Sequence, residues 1–407
     1  MGKDNKTPPV HKQVPGTNFI VDGFNYFAPE TRDWFLTHFH SDHYYGLYSS
    51  FSKGTIYCST ITKRLCIEKL RVKPWRIREI NPGETISIRS LQVTAFDANH
   101  CPGSCFFLFE VPGKGRFLHS GDFRYTPLMQ RYRELSEIDV LYLDTTYCDP
   151  KHRFPTQDEM ALWIAQETKK ALRNPDVAIA IGTYLIGKER VLLRVWEECQ
   201  HPICVTPDKM QILRLLDLPC DFNQVFTLDS RISRIHVVPL GYLSFNGIAS
   251  LKKRLQGFSE IVGFSPTGWS FSGKSTISSQ SFGSVTIFGV PYSEHSSFEE
   301  LKEFVSFIRP KKIIPTVNVD KSGRLDKMLS HFHHIVSAPE NKGNLFGYFQ
   351  KSSFQSDESN ASTVEIEQEC MIVESSTSDL ASKWCRRISS SSKKSTSPIL
   401  KYFIKKT

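Results

Sequence analysis

Four potential metal ligands lie within a six-residue stretch near the start of the chain. They are His38, His40, Asp42 and His43, in the order H-x-H-x-D-H. Neutral imidazole nitrogens and carboxylate oxygens form a ligand set that suits zinc. Because one backbone turn cannot direct four side chains at a single ion, the spacing favours two neighbouring ions, with one pair of residues on each. In the alternative interpretation, these histidines only cap the end of a strand.

Predicted strands end directly before these ligands and before further candidates. The apolar run at residues 34–36 predicts a buried strand that ends where the ligand stretch begins. The same pattern recurs later in the chain, where predicted strands end at His100, Asp122, Asp144 and His295. Active sites of α/β proteins are built at the carboxyl ends of strands. We therefore expect these side chains to meet in one site.

Between Asp144 and His295 the sequence alternates between predicted helices and strands. A capping box at residues 156–159 begins a helix, residues 177–181 predict a parallel strand, and residues 189–199 predict the next helix. The alternation continues to about residue 265 without a close-set group of ligands. This pattern predicts an inserted second domain of the βαβ type.

Together these features resemble the metallo-β-lactamase superfamily, whose hallmark is H-x-H-x-D-H. The later ligands and the inserted domain resemble the branch of that superfamily that carries a β-CASP insertion. The resemblance covers roughly residues 16–340 and implies an α/β fold, a metallo-β-lactamase αββα sandwich with an inserted β-CASP α/β domain. The expected divisions are a flexible N-terminus at 1–15, the sandwich at 16–150 and 286–345, the β-CASP domain at 151–285 and a Ser-rich disordered tail at 351–407.

Five longer motifs are similar to those of the DNA cross-link repair 5′ nucleases, the relatives of Artemis and Apollo. They are Asp-Ala-Asn-His-Cys-Pro-Gly-Ser, Ser-Gly-Asp-Phe-Arg, Leu-Asp-Thr-Thr-Tyr-Cys, Gly-Thr-Tyr-Leu-Ile-Gly-Lys-Glu and Pro-Tyr-Ser-Glu-His-Ser-Ser. The resemblance implies two metals bridged by Asp122. The implied ligands are His38, His40 and His100 for one metal and Asp42, His43 and His295 for the other. Both ions are expected to be zinc, and the second site also suits another divalent metal.

Two adjacent metals suit the hydrolysis of a phosphodiester bond. They lower the pKa of a bound water from about 15.7 towards roughly 7 and clamp the entering and leaving oxygens of an in-line displacement. Asp122 would set the metal spacing, and Asp42 would orient the water or accept its proton. Asp144 occupies the first β-CASP motif, where it would hold a ligand histidine or, in the alternative, only cap a strand. His295 occupies the second motif and completes the predicted catalytic set.

An exonuclease that starts at a 5′-phosphate also needs a pocket of hydrogen-bond donors beside the metals. The candidates are Thr146, Tyr147, Lys188 and Ser296, the last at a helix start whose free N–H groups favour an anion. Tyr184 and Trp269 are candidates for stacking on bases. An ordinary structural role is the alternative for each of these residues.

Charge and composition favour a nucleic-acid substrate and a reducing compartment. The net charge is +9, and residues 1–351 account for +8 of it, which suits a polyanionic substrate. Val317 falls at the third β-CASP motif. In this group, the DNA-acting members resemble one another in having Val at this position, whereas the RNA-processing members have His, so Val317 favours DNA. The ten cysteines form neither a C-x-x-C ribbon nor a disulfide framework. Without an apolar leader or a long apolar run, membrane insertion is not expected.

The tail contains two candidate partner-binding segments. Residues 396–403 resemble a sliding-clamp-binding motif, with Ile399 at the aliphatic position and Tyr402 and Phe403 as the aromatic pair, although Thr396 replaces the usual leading Gln. Residues 370–374, flanked by acids, resemble a SUMO-binding strand. Basic pairs at 386–387 and 393–394 favour import into the nucleus, the predicted localisation, with a solvated basic tail as the alternative.

These observations predict a metal-dependent 5′→3′ DNA exonuclease that hydrolyses phosphodiester bonds from a 5′-phosphorylated end in DNA interstrand cross-link repair. The alternative enzyme is an RNA-processing or structure-selective DNA endonuclease of the same fold. A small-molecule hydrolase would not need the inserted domain or the basic surface. A catalytically inactive nucleic-acid scaffold would be expected to lack ligands, and all seven are present.

Overall fold

The computed structural model describes residues 6–268, 277–317, 319 and 323–336. The predicted disordered tail at 351–407 lies outside the described residues, together with Ile399, Tyr402 and Phe403 and the SUMO-type segment. Trp269 also lies outside them. In the described part of the chain, no helix has both the length and the apolar character needed to cross a membrane.

The strands of the described residues are, in chain order, β1 Ile20–Val21, β2 Asp33–Phe35, β3 Thr55–Cys58, β4 Ile77–Glu79, β5 Thr85–Ile88, β6 Leu91–Asp97, β7 Cys105–Val111, β8 Gly115–His119, β9 Val140–Leu143, β10 Val177–Thr183, β11 Ile203–Cys204, β12 Phe226–Thr227, β13 Ile235–Pro239, β14 Glu260–Pro266, β15 Ser278–Phe282, β16 Val285–Val290 and β17 Lys312–Pro315. The α-helices are α1 Ser41–Tyr44, α2 Thr60–Leu70, α3 Gln157–Ala171, α4 Glu189–Cys199, α5 Pro207–Leu213, α6 Phe222–Val225, α7 Ile248–Arg254, α8 Phe298–Ile308 and α9 Arg324–Ser330.

Two sheets pack face to face as the central layers of a sandwich. The four-stranded sheet has the order β1-β2-β3-β4, and the six-stranded sheet has the order β17-β9-β8-β7-β6-β5. Successive side chains of a strand point to opposite faces of its sheet. On β7, Phe107 and Phe109 point inward and pack against Phe35 of β2, with ring centroids 5.4 and 4.9 Å away. These aromatic rings form the core between the sheets.

Helices cover the outer faces of both sheets. On the six-stranded sheet, Phe106 of β7 points outward and contacts Phe304 of α8, with ring centroids 6.4 Å apart. On the four-stranded sheet, Leu65 and Cys66 of α2 belong to the same buried cluster as Trp34 of β2. The four layers form an αββα sandwich, which confirms the predicted fold class.

The inserted domain is built on a third sheet. Its order is β12-β11-β13-β10-β14-β16-β15, and it is parallel except for the pairing of β15 with β16. Every residue of β10 is buried, as expected for a strand inside a parallel sheet covered on both faces. The predicted capping box begins α3, where the Thr156 side chain accepts from the N–H of Glu159. The predicted inserted α/β domain is therefore confirmed.

The chain returns to the sandwich later than the sequence predicts. Strand β16 pairs in parallel with β14 from Val285 to Val290, so it belongs to the inserted sheet. The sequence places the return at residue 286, because a strand that leads to a histidine has the same local pattern in either domain. The return takes place after Val290, in the segment that carries His295 to α8.

Part of the predicted flexible N-terminus packs against the sandwich. Val14 is buried, and Gln13 forms an isolated bridge with Ile20. The carbonyl of Gln13 accepts from the hydroxyl of Tyr142 at 2.9 Å. The prediction is wrong for this part of the segment, because polar composition does not reveal which backbone groups the core will bond.

We expect His236 to make the protein less stable as the pH falls. It lies in β13, is 3% exposed, and its Nε2 has no hydrogen-bond partner among the described residues. Burial lowers the pKa of His236 from 6.5 to about 4. Below pH 6.5 the unfolded chain therefore binds a proton that the folded chain does not, so this residue should remove about 2 kcal/mol of unfolding free energy between pH 7 and pH 5.

Urea unfolding at the two pH values measures this effect. On acidification from pH 7 to pH 5, the unfolding free energy of the His236→Gln variant should fall by about 1–2 kcal/mol less than that of the wild type. The same substitution at the exposed His333 is the control. An identical acid sensitivity of wild type and His236→Gln would contradict the prediction.

Candidate metal centre

Thr37 positions the first ligands at the end of β2. Its N–H and hydroxyl donate to the carboxylate of Asp22 at 2.9 and 2.7 Å. These bonds hold the chain as it leaves the strand, and His40 then serves as the N-cap residue of α1. His38 is completely buried, whereas the side chain of Asp42 on α1 is 73% exposed. The ligands thus extend from the core of the sandwich to the solvent.

Three imidazoles and one carboxylate form the first ligand group. The Nδ1 atom of His40 lies 2.9 Å from Nε2 of His38 and 3.1 Å from Nε2 of His100. The Oδ2 atom of Asp122 lies 3.6 Å from the His38 nitrogen and 3.8 Å from the His100 nitrogen. All four ligand atoms lie within 4.8 Å of one another. The structure therefore brings together the residues expected around the first metal.

Asp122 also belongs to two further ligand groups. Its Oδ2 atom lies 3.2 Å from Nε2 of His43, which is 3.5 Å from Oδ2 of Asp42. The third group joins Asp122 with Asp144 and His295. Because Asp122 is common to all three groups found among the described residues, it occupies the position expected of a bridging carboxylate.

Hydrogen bonds determine which nitrogen each histidine turns towards the centre. Nδ1–H of His100 donates to the carbonyl of Glu294 at 2.8 Å, and Nε2–H of His40 donates to the carbonyl of Ile186 at 3.2 Å. A neutral imidazole that donates from one nitrogen carries a lone pair on the other. The inward nitrogens of His40 and His100 therefore face each other with lone pairs across 3.1 Å. Since a cation between them relieves this repulsion, the donor set fits a metal ion.

Burial keeps the imidazoles of the first group neutral. It lowers the pKa values of His38 and His100 well below 6.5, and the neighbouring histidines lower them further. Burial also lowers the pKa of His40. For Asp122, burial raises the pKa, but His43, together with His295 and His38, outweighs burial and holds the pKa well below 3.8. The first ligand group thus offers neutral nitrogens and an ionised carboxylate, the protonation states that metals require. Although burial opposes the change, nearby carboxylates raise the pKa of His43 well above 6.5 and that of His295 to about 9, so these two rings would release a proton when a metal binds.

Comparison with known proteins assigns the chain to a family. The family model described as DNA repair metallo-beta-lactamase matches residues 220–321, and the one described as beta-lactamase superfamily domain matches residues 34–183. The DNA cross-link repair protein SNM1 of Arabidopsis thaliana is 40% identical over 334 residues, which cover 80% of this chain and 69% of the relative. The chain belongs to the DNA repair metallo-β-lactamase family.

Other members of the DNA repair metallo-β-lactamase family match the same part of the chain. The DNA cross-link repair 1A protein of Mus musculus is 39% identical over 339 residues, which cover 81% of this chain and 33% of the relative. The 5′ exonuclease Apollo of Gallus gallus is 37% identical over 331 residues, which cover 79% of this chain and 67% of the relative. The chain spans about a third of the length of the cross-link repair 1A proteins that it matches.

A cleft of about 930 Å³ opens over the metal centre between the sandwich and the inserted domain. Three residues predicted for the phosphate pocket line it, namely Thr146, Tyr147 and Lys188. Thr146 donates its hydroxyl to Asp144 at 2.6 Å, and Tyr147 and Lys188 are each only 4% exposed. In this DNA repair metallo-β-lactamase, these three predicted pocket residues therefore lie around the candidate metal centre from both domains.

Ser296 is not among the residues that line the cleft. Its N–H and its hydroxyl both donate to the carbonyl of Phe123, at 3.0 and 3.1 Å, and the hydroxyl accepts from the N–H of Tyr125 at 2.9 Å. The expected phosphate contact is therefore wrong, because the hydrogen-bonding groups of Ser296 join the start of α8 to residues 123–125. The N-cap of that helix is Ser297, which uses its own side chain in a capping box.

Asp144 holds the His295 ring in place. Its Oδ2 accepts from Nδ1 of His295 at 2.8 Å and from the N–H of Phe123 at 3.3 Å. Its Oδ1 accepts the N–H and the hydroxyl of Thr146 at 3.0 and 2.6 Å. The carboxylate therefore caps the end of β9 and also fixes the ring of His295, which belongs to the same ligand group as Asp122. The sequence leaves open whether Asp144 holds a ligand histidine or caps a strand, and its hydrogen bonds serve both purposes.

We expect Asp144→Asn to weaken metal binding and metal-dependent turnover by about 10–100-fold. The amide retains an acceptor for Nδ1 of His295 but loses the negative charge that orients and strengthens this ligand. Zinc titration of the metal-free variant measures the affinity, and circular dichroism checks that the fold is intact. Asp149→Asn, at the turn that follows, is the matched control. If Asp144→Asn bound zinc as tightly as the wild type, Asp144 would only cap the strand.

Two residues of the centre were missed by reasoning from the sequence. Asp22 accepts from Nδ1 of His43 at 2.7 Å, in addition to its bonds from Thr37. Glu294 accepts from His100 through its carbonyl and from the N–H of Lys188 through its carboxylate, at 2.6 Å. The available signals were the position of Asp22 directly after the apolar pair Ile20 and Val21, and that of Glu294 directly before the candidate ligand His295.

Proposed function

We propose that the chain is a metal-dependent 5′→3′ DNA exonuclease that hydrolyses phosphodiester bonds from a 5′-phosphorylated end in interstrand cross-link repair, in the nucleus. The convergence of the ligand groups on Asp122 at the cleft carries the proposal. The names of the relatives support it, since they include DNA cross-link repair proteins and a 5′ exonuclease. We propose two zinc ions, because an imidazole-rich donor set with carboxylates suits zinc.

The residues of the centre have distinct tasks in this reaction. Two metals held by these residues would supply an activated water and a clamp for the entering and leaving oxygens. Asp122 would keep the ions at a constant separation, because its carboxylate belongs to all three ligand groups. Asp42 lines the cleft with an exposed carboxylate and accepts the proton released by the attacking water. Asp144 keeps the ring of His295 in its orientation throughout.

Two lysine side chains offer the cleft cationic donors that suit a terminal phosphate. Lys12 and Lys188 both line it. Nζ of Lys188 lies 3.7 Å from Oε2 of Glu294, which is beyond hydrogen-bond distance, so its donors can turn to a phosphate. Val317 also lines the cleft, and its N–H and carbonyl are bonded to the hydroxyl of Thr145. Its apolar side chain at the third motif supports DNA over RNA as the substrate.

We expect Lys188→Gln to remove most of the preference for a 5′-phosphorylated end. The substitution keeps a polar side chain but removes the charge, and a hydrogen bond to a charged group contributes about 1.5–3 kcal/mol. The ratio of kcat/KM between 5′-phosphate and 5′-hydroxyl strands should therefore fall about 10–100-fold. Lys302→Gln, on the exposed side of α8, is the matched control. A ratio equal to that of the wild type would exclude Lys188 from the pocket.

The proposed function is tested with single-stranded DNA labelled at its 3′ end, with and without a 5′-phosphate, beside an RNA of the same sequence. We expect stepwise shortening of the phosphorylated DNA by the zinc-loaded protein. Internal cuts, or faster loss of the RNA, would instead favour an RNA-processing or structure-selective endonuclease. Intact substrates throughout would overturn the assignment as a nuclease.

A further inference from the structure

Residues 184–188, the cleft loop, connect β10 to α4 and enter the cleft from the inserted domain. We propose that this loop is a preformed platform for the 5′-terminal nucleobase of the substrate. The ring of Tyr184 stacks on the base, and Lys209 is a positioning residue that holds the loop from behind. This inference rests on the proposed nuclease function and adds a base-binding subsite to it.

Tyr184 presents an exposed aromatic ring to the cleft. Among the described residues that line the cleft, Phe39, Tyr147 and Tyr292 are at most 4% exposed and Tyr44 is half-buried. Tyr184 is 48% exposed, and Leu185 beside it is 42% exposed. Every nucleobase has a π-face that an aromatic side chain can stack on, whatever the sequence. The cleft thus offers one open aromatic surface that suits a base.

The cleft loop lies close to the metal centre. The carbonyl of Ile186 accepts from Nε2–H of the ligand His40 at 3.2 Å. Tyr184 precedes Ile186 by two residues, and two residues span at most about 7 Å. A nucleotide whose phosphate reaches the metals therefore has its base within reach of the Tyr184 ring.

Buried charges hold the backbone of the cleft loop. Nζ of Lys209 donates to the carbonyls of Tyr184 and Leu185 at 3.2 and 3.0 Å, and to Oε1 of Glu189 at 2.8 Å. An ammonium group has three donors, so all of them are used. Glu189 accepts in turn from the N–H of Gly187 at 2.9 Å. Lys209 and Glu189 are 4% and 1% exposed, so the loop takes its shape before any substrate arrives.

Glu294 holds the other end of the cleft loop. Its carboxylate accepts from the N–H of Lys188, and a Cβ on Gly187, whose φ is +106°, would lie 2.8 Å from that carboxylate. This backbone places Nζ of Lys188 4.5 Å from the ring centre of Tyr184. The cation proposed to bind the 5′-phosphate therefore touches the ring proposed to stack on the base. One nucleotide can engage both groups.

The test compares wild type, Tyr184→Ala and Tyr184→Phe on four DNA strands. The strands carry a normal or an abasic 5′-terminal nucleotide, each with a 5′-phosphate or a 5′-hydroxyl. On the phosphorylated strand with a normal base, we expect Tyr184→Ala to raise KM about 10–100-fold with little change in kcat, and Tyr184→Phe to match the wild type. On the strands with an abasic end, Tyr184→Ala and wild type should be equal.

Two outcomes would overturn the stacking proposal. One is a loss of activity in Tyr184→Ala that is equal on normal and abasic strands. The other is a loss of activity that depends on the 5′-phosphate and not on the base, which would mean that Tyr184 only covers Lys188. In both cases the wild type still shortens DNA. Failure of the proposed nuclease function is distinct, because the wild type would then be inactive on all four strands.

The positioning role of Lys209 is tested on the same strands. Lys209→Met, assayed at a temperature at which circular dichroism shows it folded, should raise KM more on the strand with a normal terminal base than on the abasic strand, because only the normal strand has a base for Tyr184 to hold. A loss of activity that is the same on both strands would reduce Lys209 to a general structural role and overturn this part of the proposal.

Discussion

Replacing Asp122 by Asn is expected to lower the rate of DNA hydrolysis by about a thousandfold or more. The Asp122 carboxylate is common to the group of three histidines, to the group with Asp42 and His43, and to the group with Asp144 and His295. An amide at this position has one acceptor oxygen and no charge. It cannot bridge two cations, so both the metal content and the spacing of the metals should change.

The rate is measured on 3′-labelled, 5′-phosphorylated DNA, and the metal content of the purified protein by elemental analysis. Asp208→Asn, an exposed aspartate at the start of α5, is the matched control and should retain wild-type values for both. Circular dichroism and thermal unfolding show whether the Asp122 variant is folded. A folded Asp122→Asn protein with full activity would mean that the reaction does not take place at this centre.

Replacing Lys209 by Met is expected to reduce the free energy of unfolding by about 3–5 kcal/mol. Lys209 and Glu189 form a buried ion pair with 2.8 Å between Nζ and Oε1. Removal of the lysine leaves the Glu189 carboxylate buried, with the N–H of Gly187 as its remaining hydrogen-bond donor among the described residues. It also leaves two loop carbonyls without the Lys209 donor. A buried charge without its counter-charge is strongly unfavourable.

Urea unfolding of the single variants and of the double variant Lys209→Met/Glu189→Gln isolates the interaction. The double variant should be more stable than Lys209→Met, because it removes the unpaired charge as well. Lys63→Met, which breaks the partly exposed pair with Glu79, should cost at most about 1 kcal/mol. If Lys209→Met and Lys63→Met destabilised the protein equally, the buried pair would not support the cleft loop as we infer.

The fold class and the candidate ligands of the centre could both be predicted from the sequence. The order of His38, His40, Asp42 and His43, and the positions of His100, Asp122 and His295 at strand ends, are local properties that need no knowledge of the packing. Strand periodicity likewise indicates which faces are apolar. The αββα sandwich and the inserted α/β domain followed from these patterns and from a resemblance spread over several motifs, and the structure confirmed both.

How the ligands are held, and what surrounds them, depends on contacts between distant parts of the chain. The carbonyls that orient His40 and His100 belong to Ile186 and Glu294, which are 146 and 194 residues away in the chain. The sheet that contains β16 depends on its pairing with β14. Side-chain type cannot reveal such contacts, because hydrogen bonds between distant backbone groups leave no periodic pattern in the sequence.

The same reason applies to Ser296 and Tyr184, for which the sequence leaves a functional and a structural role open. Ser296 has the residue type expected at an anion site, but its hydrogen bonds to residues 123–125 turn it away from the cleft. Tyr184 is a candidate for stacking on bases, and its ring is exposed on a loop whose backbone Lys209 holds. The burial of a side chain and its hydrogen-bond partners are properties of the folded chain. They determine which side chains are exposed in the cleft.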